Sequence, residues 1–237
     1  MDIGLSSFET MPHSTLSRSV EDYLKAIFGL SNSGNPASTS AIAEALDIQP
    51  ASVTGMVKRL AEAGLVEHVP YRGVRLTDAG GRAALKVVRR HRVIETYLCQ
   101  RLEYQWEDVH AEAERLEHAA SDELVERMAI ALGSPSHDPH GSPIPTPAGE
   151  IEATTLATLA EAEHGTQVRI SEVRDEDAEE LRSMAADGLV PGVAIRVDSI
   201  QDVKGVVGVI VGDDGNGNAL AVQNHLAERI FVVPDGD

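Results

Sequence analysis

Cysteine and aromatic residues are scarce in this chain. Its 237 residues include one cysteine, Cys99, and only 3% Phe, Trp and Tyr. A single thiol excludes a disulfide framework and a thiolate-rich zinc site, and it suits a reducing compartment. So few aromatic side chains provide no stacking platform for single-stranded nucleic acid.

Long apolar runs are absent as well. No run reaches the roughly 18 residues that a membrane-spanning helix needs. The N-terminal stretch MDIGLSSFETMPH carries acids and lacks the basic-then-apolar pattern of a signal peptide. These two absences predict a cytoplasmic protein without a membrane partner.

The net charge of −18 is unevenly distributed along the chain. Residues 1–90 contain ten Lys/Arg and nine Asp/Glu, whereas residues 91–237 contain ten and twenty-nine. The first part is therefore compatible with a DNA duplex, while the acidic second part is compatible with cations and disfavours DNA near it. We expect the two parts to meet different partners.

The local patterns of residues 1–78 follow the order of a winged helix-turn-helix. Apolar residues recur at helical spacing over 18–31, a short capped helix follows at 40–48, and a second helix begins at Pro50 and ends near Gly64. Two short β segments around a Pro-Tyr-Arg-Gly turn then predict a hairpin, the wing. This order favours a DNA-binding module.

The second helix of such a module inserts its N-terminal end into the major groove. Small polar side chains and glutamine can read base edges there, and basic residues on the wing are placed for phosphates. A winged-helix module that binds another protein is the alternative. The candidate DNA-binding residues are Gln49, Ala51, Ser52, Thr54, Lys58, Arg59, Arg72 and Arg75.

The remaining chain is expected to be helical first and β-rich last. Helices are predicted from Asp78 to about Cys99 or Leu102 and from roughly Asp108 to Leu132, followed by a linker at 133–150 that is dense in Pro, Gly and Ser. Five short β-rich segments, interrupted by one helix-like stretch, then indicate an SH3-like barrel. The fold class predicted is mainly α with a small β part.

A charged nonapeptide, HAEAERLEH, lies in the second of these long helices. Its residues His110, Glu114, Glu117 and His118 occupy positions i, i+4, i+7 and i+8, which share one helix face. Such a face is either a charge-paired surface or a set of ligands for a divalent metal.

Further residues of the same types favour the metal. His91 and Glu95 are spaced i, i+4 on the preceding helix, and Asp22 lies on the first helix. Packed together without a cation, these carboxylates would repel one another in a partly desolvated place. A divalent ion would remove the repulsion and link the helices, so metal binding is expected to change the geometry between them.

Taken in order, these pieces resemble the diphtheria toxin repressor family of metal-dependent regulators, and most of all its manganese transport regulator branch. The likeness extends over nearly the whole chain. It is carried by SVEDYLKAIFGL, IAEALDIQPASVTGMVKRLAEAGLVEH, YRGVRLTDAG, RRHRVIETYL, VHAEAERLEHAASDELVERM and GSPIP.

The resemblance implies two metal sites and three domains. The domains are a winged helix-turn-helix (1–78), a helical dimerisation and metal-binding domain with its linker (79–150) and an SH3-like, FeoA-like domain (151–237). By the same resemblance the primary site takes Asp22, Glu114, Glu117 and His118. The ancillary site takes His91, Glu95 and His110, with Glu172 and Asp175 from the SH3-like domain.

Two positions bear on the identity of the metal. Iron-dependent relatives have a methionine and a cysteine in the primary site, whereas this chain has Asp22 and Glu114, as manganese-dependent relatives do. Hard oxygen donors suit Mn²⁺. Lys25 stands where the short manganese regulators carry a glutamate that helps bridge paired metals, which favours two separate sites over a close two-metal centre.

The sequence therefore predicts a Mn²⁺-dependent transcriptional regulator, a repressor of metal-uptake genes, that binds an inverted-repeat operator as a homodimer and is not an enzyme. An Fe²⁺-dependent regulator of the same family is the alternative. A regulator that senses a small molecule and a helical-bundle metalloenzyme are further ones, although the latter needs two Glu-x-x-His motifs that the sequence lacks. His137 and His140 in the linker are expected to be exposed.

Overall fold

The computed structural model describes residues 16–31, 35–69, 71–152, 155–174, 177–201, 205–212 and 217–235. They form a mainly helical chain with an N-terminal winged helix-turn-helix, a central helical part and a C-terminal antiparallel sheet. Among these residues no helix is both long enough and apolar enough to cross a membrane.

The N-terminal module has the helices and hairpin that the sequence predicts. Ser38 caps the second helix by accepting a hydrogen bond from the Ala41 amide at 3.1 Å, and Pro50 opens the third. Leu24, Ile27 and Ile42 are fully buried in its core. The elements are α1 (Arg18–Leu30), α2 (Thr39–Ala45), α3 (Pro50–Glu62), β1 (Val66–Val69) and β2 (Gly73–Leu76).

The long helix α4 (Asp78–Leu102) follows the wing directly, as predicted. The Thr77 hydroxyl caps it by accepting from the Gly80 amide at 3.1 Å. Gly80 is required at this place, because a Cβ atom there would lie 1.9 Å from the Leu65 carbonyl oxygen. The close approach fixes α4 against the wing, and α4 packs on α1 further along.

The second long helix was predicted as one element from about Asp108 to Leu132, and this prediction is wrong. The structure contains two helices, α5 (Val109–Leu116) and α6 (Asp122–Ala131). The Ser121 hydroxyl accepts from the Leu124 amide at 3.2 Å and starts a new helix. The intervening turn carries the last two residues of the nonapeptide.

The linker between α6 and the sheet is tied to α4. Arg92 and Arg89 donate hydrogen bonds to the carbonyl oxygens of Pro143 and Pro145, at 2.5 and 2.7 Å. Gly141 has φ +84°, and a Cβ atom on it would lie 2.0 Å from the Ser171 carbonyl oxygen. The linker is therefore held between the helices and the sheet, and its side chains have fixed positions.

The C-terminal part is an antiparallel sheet in the order β3-β8-β4-β5-β6-β7, bent by irregularities in register within β4 and β5. Its core includes Ile170, Leu181 and Ile230, all at most 1% exposed. The elements are β3 (Ala157–Thr158), β4 (Gln167–Val173), α7 (Ala178–Ala186), β5 (Ala194–Gln201), β6 (Val206–Val211), β7 (Asn218–Gln223), α8 (Asn224–Ala227) and β8 (Ile230–Pro234).

Candidate metal centre

Side chains from α1, the first helix of the winged helix-turn-helix, meet side chains from the turn after α5. Asp22, Glu117 and His118 each offer an atom that lies within 4.8 Å of the other two. His118 Nε2 is 2.7 Å from Asp22 Oδ1 and 3.4 Å from Glu117 Oε1. Three of the four residues predicted for the primary site are thus brought together across almost a hundred positions of sequence.

A buried ion pair orients the His118 ring. Its Nδ1 lies 2.7 Å from a Glu21 carboxylate oxygen, and the other oxygen of Glu21 accepts from Arg90 at 2.5 Å. Because a carboxylate only accepts, this contact places a proton on Nδ1, and it turns Nε2 towards Asp22 and Glu117. Neither Glu21 nor Arg90 was predicted as part of the site.

The donor set fits a hard divalent ion. Nε2 of His118 is buried and makes no aligned hydrogen bond, although it lies close to Asp22. A buried imidazole nitrogen without an aligned hydrogen bond, facing two carboxylates, is the arrangement that a divalent cation completes. No sulfur atom belongs to any ligand group in the described part of the chain.

The carboxylates of this cluster have shifted pKa values. Burial raises the pKa of Asp22, and the neighbouring Glu114 and Glu117 add to the rise, against His118 and Arg18. Burial alone would also raise the pKa of Glu114, but the ammonium of Lys25 holds it below its usual value. The negative charge is thus compensated on the Glu114 side of the cluster and less so at Asp22.

Lys25 lies inside the cluster. Its Nζ donates to Glu114 and to both oxygens of Glu117, at 2.9 and 3.1 Å for the latter. The same atom is 3.0 Å from Nδ1 of His91. Burial lowers the pKa of this lysine, but the two glutamates outweigh it, so the pKa stays above its ordinary value and the ammonium is charged.

The helix residues predicted for the ancillary site also meet. His91 Nε2 lies 2.9 Å from Glu95 Oε1 and 3.1 Å from His110 Nδ1, and the latter is 3.3 Å from Glu95 Oε1. The other nitrogen of His91 contacts Glu117 at 2.5 Å. Burial and the neighbouring Lys25 lower the pKa of His91, but Glu95 and Glu117 raise it to about 9 overall.

A third group of possible ligands was not predicted. Glu95, Asp138 and His140 also offer atoms within 4.8 Å of one another. His140 is 7% exposed, so the expectation that it is exposed was wrong, whereas His137 is exposed as expected. His140 Nε2 donates to the Trp106 carbonyl oxygen at 2.9 Å, which leaves Nδ1 as the lone-pair atom, 3.9 Å from Glu95.

Asp138 is held in this group by its backbone neighbours. Its Oδ1 accepts from the amides of His140 and Ser142, both at 2.9 Å. Burial and the nearby Glu95 raise the pKa of Asp138 to about 7. Its position in a loop dense in proline and glycine gave no periodic signal, and only the spacing Asp-Pro-His hinted at it.

The two ligands predicted from the SH3-like domain stay predictions. Glu172 is buried, accepts from the Ser142 hydroxyl at 2.5 Å and pairs with Arg174 at 2.8 Å through both oxygens. It belongs to none of the ligand groups that the described residues form. Asp175 lies outside the described residues.

The predicted DNA-reading residues are all exposed on the winged helix-turn-helix. Gln49 precedes the first turn of α3, and its neighbours along the outer face of that helix are exposed, as are the two wing arginines. Tyr71, at the tip of the wing, is fully exposed. The exposed residues predicted to contact DNA are Gln49, Ala51, Ser52, Thr54, Lys58, Arg59, Arg72 and Arg75.

Three family models match successive parts of the chain. Residues 15–74 match the N-terminal DNA-binding domain of iron-dependent repressors, and residues 77–146 match the metal-binding and dimerisation domain of the same proteins. Residues 157–234 match the FeoA domain. Together the matches follow the winged helix-turn-helix, the helical part and the sheet.

Characterised relatives include both iron and manganese regulators. The iron-dependent repressor IdeR of Mycobacterium tuberculosis is 30% identical over 224 residues, which is 90% of this chain and 95% of IdeR. The regulator MntR of Oceanobacillus iheyensis is 36% identical over 110 residues, covering 46% of this chain and 74% of MntR.

The fold is similar to solved structures of such regulators. A manganese-dependent transcriptional repressor in complex with manganese has a TM-score of 0.84 and 36% identity, and the match covers 91% of this chain and 99% of that one. IdeR of T. acidophilum has a TM-score of 0.76 and 30% identity, with 91% and 97% covered.

Proposed function

Because the chain belongs to the family of iron- and manganese-dependent repressors, which are dimeric DNA-binding transcriptional repressors and not enzymes, we propose that Mn²⁺ is its activating ion and that its target is an inverted-repeat operator. The division into residues 1–78, 79–150 and 151–237 is part of this proposal. Relatives respond to either metal, so the choice of ion depends on this chain's own ligands.

The donor set of the primary site carries the proposal for Mn²⁺. Asp22, Glu117 and His118 supply carboxylate oxygens and one oriented imidazole nitrogen, and Glu114 adds a further carboxylate next to them. Cys99, the chain's one cysteine, packs in a separate apolar core, where burial raises the pKa of its thiol to about 11. A site of oxygen donors without sulfur suits Mn²⁺ and gives softer ions no advantage.

The residues of this site belong to two different parts of the fold. Asp22 lies on the first helix of the winged helix-turn-helix, whereas Glu117 and His118 follow α5 in the helical part. A bound ion would supply positive charge that compensates these carboxylates. The side chains would then hold α1 at a fixed position relative to α4 and α5, and hence set the spacing of two DNA-binding modules in a dimer.

A second ion is proposed near Glu95, which forms a ligand group with Asp138 and His140 and also contacts His91 and His110. The predicted partners His91 and His110 are one possibility, with Glu172 and Asp175. We favour the loop residues Asp138 and His140 instead, because they form a ligand group with Glu95 and because His140, which donates through Nε2, keeps Nδ1 towards Glu95. Replacing His140 by Ala should then weaken the second ion more than replacing His110.

Dimerisation is proposed to use the helices after the wing. Leu116, Leu124 and Ile130 on α5 and α6 are exposed by 39–62% of their surface. Large apolar side chains left exposed in this part of the fold are candidates for the subunit interface. Metal affinity and operator affinity would be coupled by the same factor in each direction.

One binding experiment tests the proposal. Inverted-repeat duplexes are selected from a random library in parallel with Mn²⁺, with Fe²⁺ under anaerobic conditions and with a chelator, and affinity is measured by fluorescence anisotropy. We expect Mn²⁺ to support operator binding and the chelator or the His118→Ala variant to abolish it. Operator binding that survives chelation, or that Fe²⁺ supports and Mn²⁺ does not, would contradict the proposal.

A further inference from the structure

Trp106 lies where the helical part, the linker and the sheet meet. It belongs to the segment between α4 and α5, and the centre of its ring is 5.2 Å from that of His140, with the two rings inclined by 33°. Aromatic rings attract each other at such separations. The backbone carbonyl oxygen of Trp106 also accepts the hydrogen bond from Nε2 of His140, at 2.9 Å. One residue therefore contacts His140 twice, through its ring and through its backbone.

These contacts set the direction of the other nitrogen of His140. Because a carbonyl oxygen only accepts, Nε2 carries a proton, and Nδ1 is turned towards Glu95, 3.9 Å away. Histidine ligands of metal ions are commonly oriented in this way, by a hydrogen bond from the nitrogen that does not bind the ion. His140 forms a ligand group with Glu95 and Asp138, so Trp106 orients a proposed ligand without being one.

The sheet in turn holds Trp106 in place. The indole ring packs against the apolar core of the C-terminal part. The two residues that follow it pair with Arg182 on α7, at 3.5 Å for Glu107 and 3.2 Å for Asp108. The indole N–H is buried and has no hydrogen-bond partner among the described residues. Apolar packing and the ion pairs beside it therefore fix the ring, and the indole N–H does not.

We propose that Trp106 is the positioning residue of the second ion, which orients His140 as a ligand and makes affinity for that ion depend on docking of the sheet against the helices. The inference rests on the proposed function, because it concerns the second ion named there. The dependence is reciprocal. An ion that holds His140 in place also favours the arrangement in which Trp106 packs on the sheet.

The test measures the second ion alone. His118→Ala removes a primary ligand, and Mn²⁺ binding to this protein is measured by isothermal titration calorimetry. Trp106→Leu, Trp106→Phe and Tyr104→Leu are each added to it. Tyr104 is the matched control, because it is an aromatic residue of the same segment and is 43% exposed.

We expect Trp106→Leu to weaken Mn²⁺ binding by about tenfold, the smaller effect typical of losing a residue that orients a ligand histidine, because the backbone carbonyl remains. Trp106→Phe should restore most of the affinity, since it keeps an aromatic ring beside His140. Tyr104→Leu should leave the affinity unchanged. Trp106 is the chain's one tryptophan, so paramagnetic Mn²⁺ should quench its fluorescence in the His118→Ala protein, and a further His140→Ala substitution should abolish the quenching.

The outcomes separate this inference from the proposed function. If the His118→Ala protein binds Mn²⁺ and Trp106→Leu binds it as tightly as Tyr104→Leu, the inference fails while the second ion stands. If Trp106→Phe loses as much affinity as Trp106→Leu, the ring does not orient His140, and the inference also fails. If the His118→Ala protein binds no Mn²⁺, the second ion of the proposed function fails first, and the inference fails with it.

Hydrogen exchange in chelator keeps the inference testable if Trp106→Leu alters the fold. The Val173 amide donates to the carbonyl oxygen of His140 at 2.8 Å, across the contact between linker and sheet, whereas the Ile170 amide donates to Val193 at 2.9 Å within the C-terminal part. We expect Trp106→Leu to speed exchange at Val173 and to leave Ile170 unchanged. Exchange at Val173 that equals wild type, or that rises equally at both amides, would overturn the inference.

Discussion

Glu21→Gln should weaken metal binding although Glu21 is not a proposed ligand. Glu21 is 4% exposed and accepts from Arg90 at 2.5 Å, while its other oxygen fixes Nδ1 of His118 at 2.7 Å. A glutamine would keep the shape of the side chain. Its oxygen would accept from Arg90, and its amide would then donate to Nδ1 and move the histidine proton to Nε2.

The magnitude follows from the two contacts. Loss of a residue that orients a ligand histidine lowers metal affinity by typically about 10–100-fold, or roughly 1.4–2.7 kcal/mol. Breaking a buried ion pair also destabilises a fold by about 3–5 kcal/mol when one charge is left unpaired. The retained amide oxygen still accepts from Arg90, so we expect the loss of folding free energy to lie near the lower end of the range, about 3 kcal/mol.

Metal affinity and folding are measured separately, and a second glutamate of this chain provides the control. Mn²⁺ affinity is measured by competition with a fluorescent chelator, and folding by thermal denaturation in excess chelator. Glu126→Gln is the matched control. Glu126 on α6 pairs at 2.7 Å with Arg89, the neighbour of Arg90 on α4, but lies outside the ligand groups. A folded Glu21→Gln protein that binds Mn²⁺ as tightly as Glu126→Gln would refute the reasoning.

Three further predictions concern pH, metal choice and DNA. The pKa of His91 is raised to about 9 in the folded protein. Its contribution to the stability of the metal-free protein is therefore complete below about pH 6.5 and is lost as the pH rises through about 9. Melting temperatures of wild type and His91→Gln measured against pH should show this difference, and parallel curves would contradict it. Glu114→Cys should shift preference towards Fe²⁺ and softer ions, and an unchanged ranking in competition titrations would count against the primary site. Arg75→Ala should weaken binding to all duplexes alike and reduce by about 1 the slope of log affinity against log salt concentration. Gln49→Ala should instead alter the sequence preference. If Gln49→Ala selects the same operator, the assignment of α3 residues to base contacts is wrong.

Local pattern was sufficient for much of the fold. The spacing of apolar residues, Pro50 at a helix start and the long run after Thr77 predicted α1, α3 and α4 close to their observed bounds. The division of the last long helix was missed because the periodicity continues across the break. The signal was Ser121 followed by two acidic residues, a helix start that was not weighed against the apolar pattern.

The candidate site was predictable only where ligand types recur at helical spacing. Two histidines and two carboxylates recur at helical spacing in one nonapeptide, and Asp22 offered a further carboxylate on the first helix. The resemblance then assigned Asp22 to the primary site. The Glu21–Arg90 pair joins residues 69 positions apart, and His140 is buried by a linker that Arg92 holds in place. Such contacts follow from tertiary packing, which a local pattern does not contain.

The central claim is that one ion joins the first helix to the turn after α5. Crystals grown with Mn²⁺ and measured at the manganese absorption edge test it most directly. We expect an anomalous peak in contact with Asp22, Glu117 and Nε2 of His118, at about 2.0–2.3 Å from their donor atoms. A bound manganese peak elsewhere, with Asp22 and His118 paired only to each other, would contradict the account.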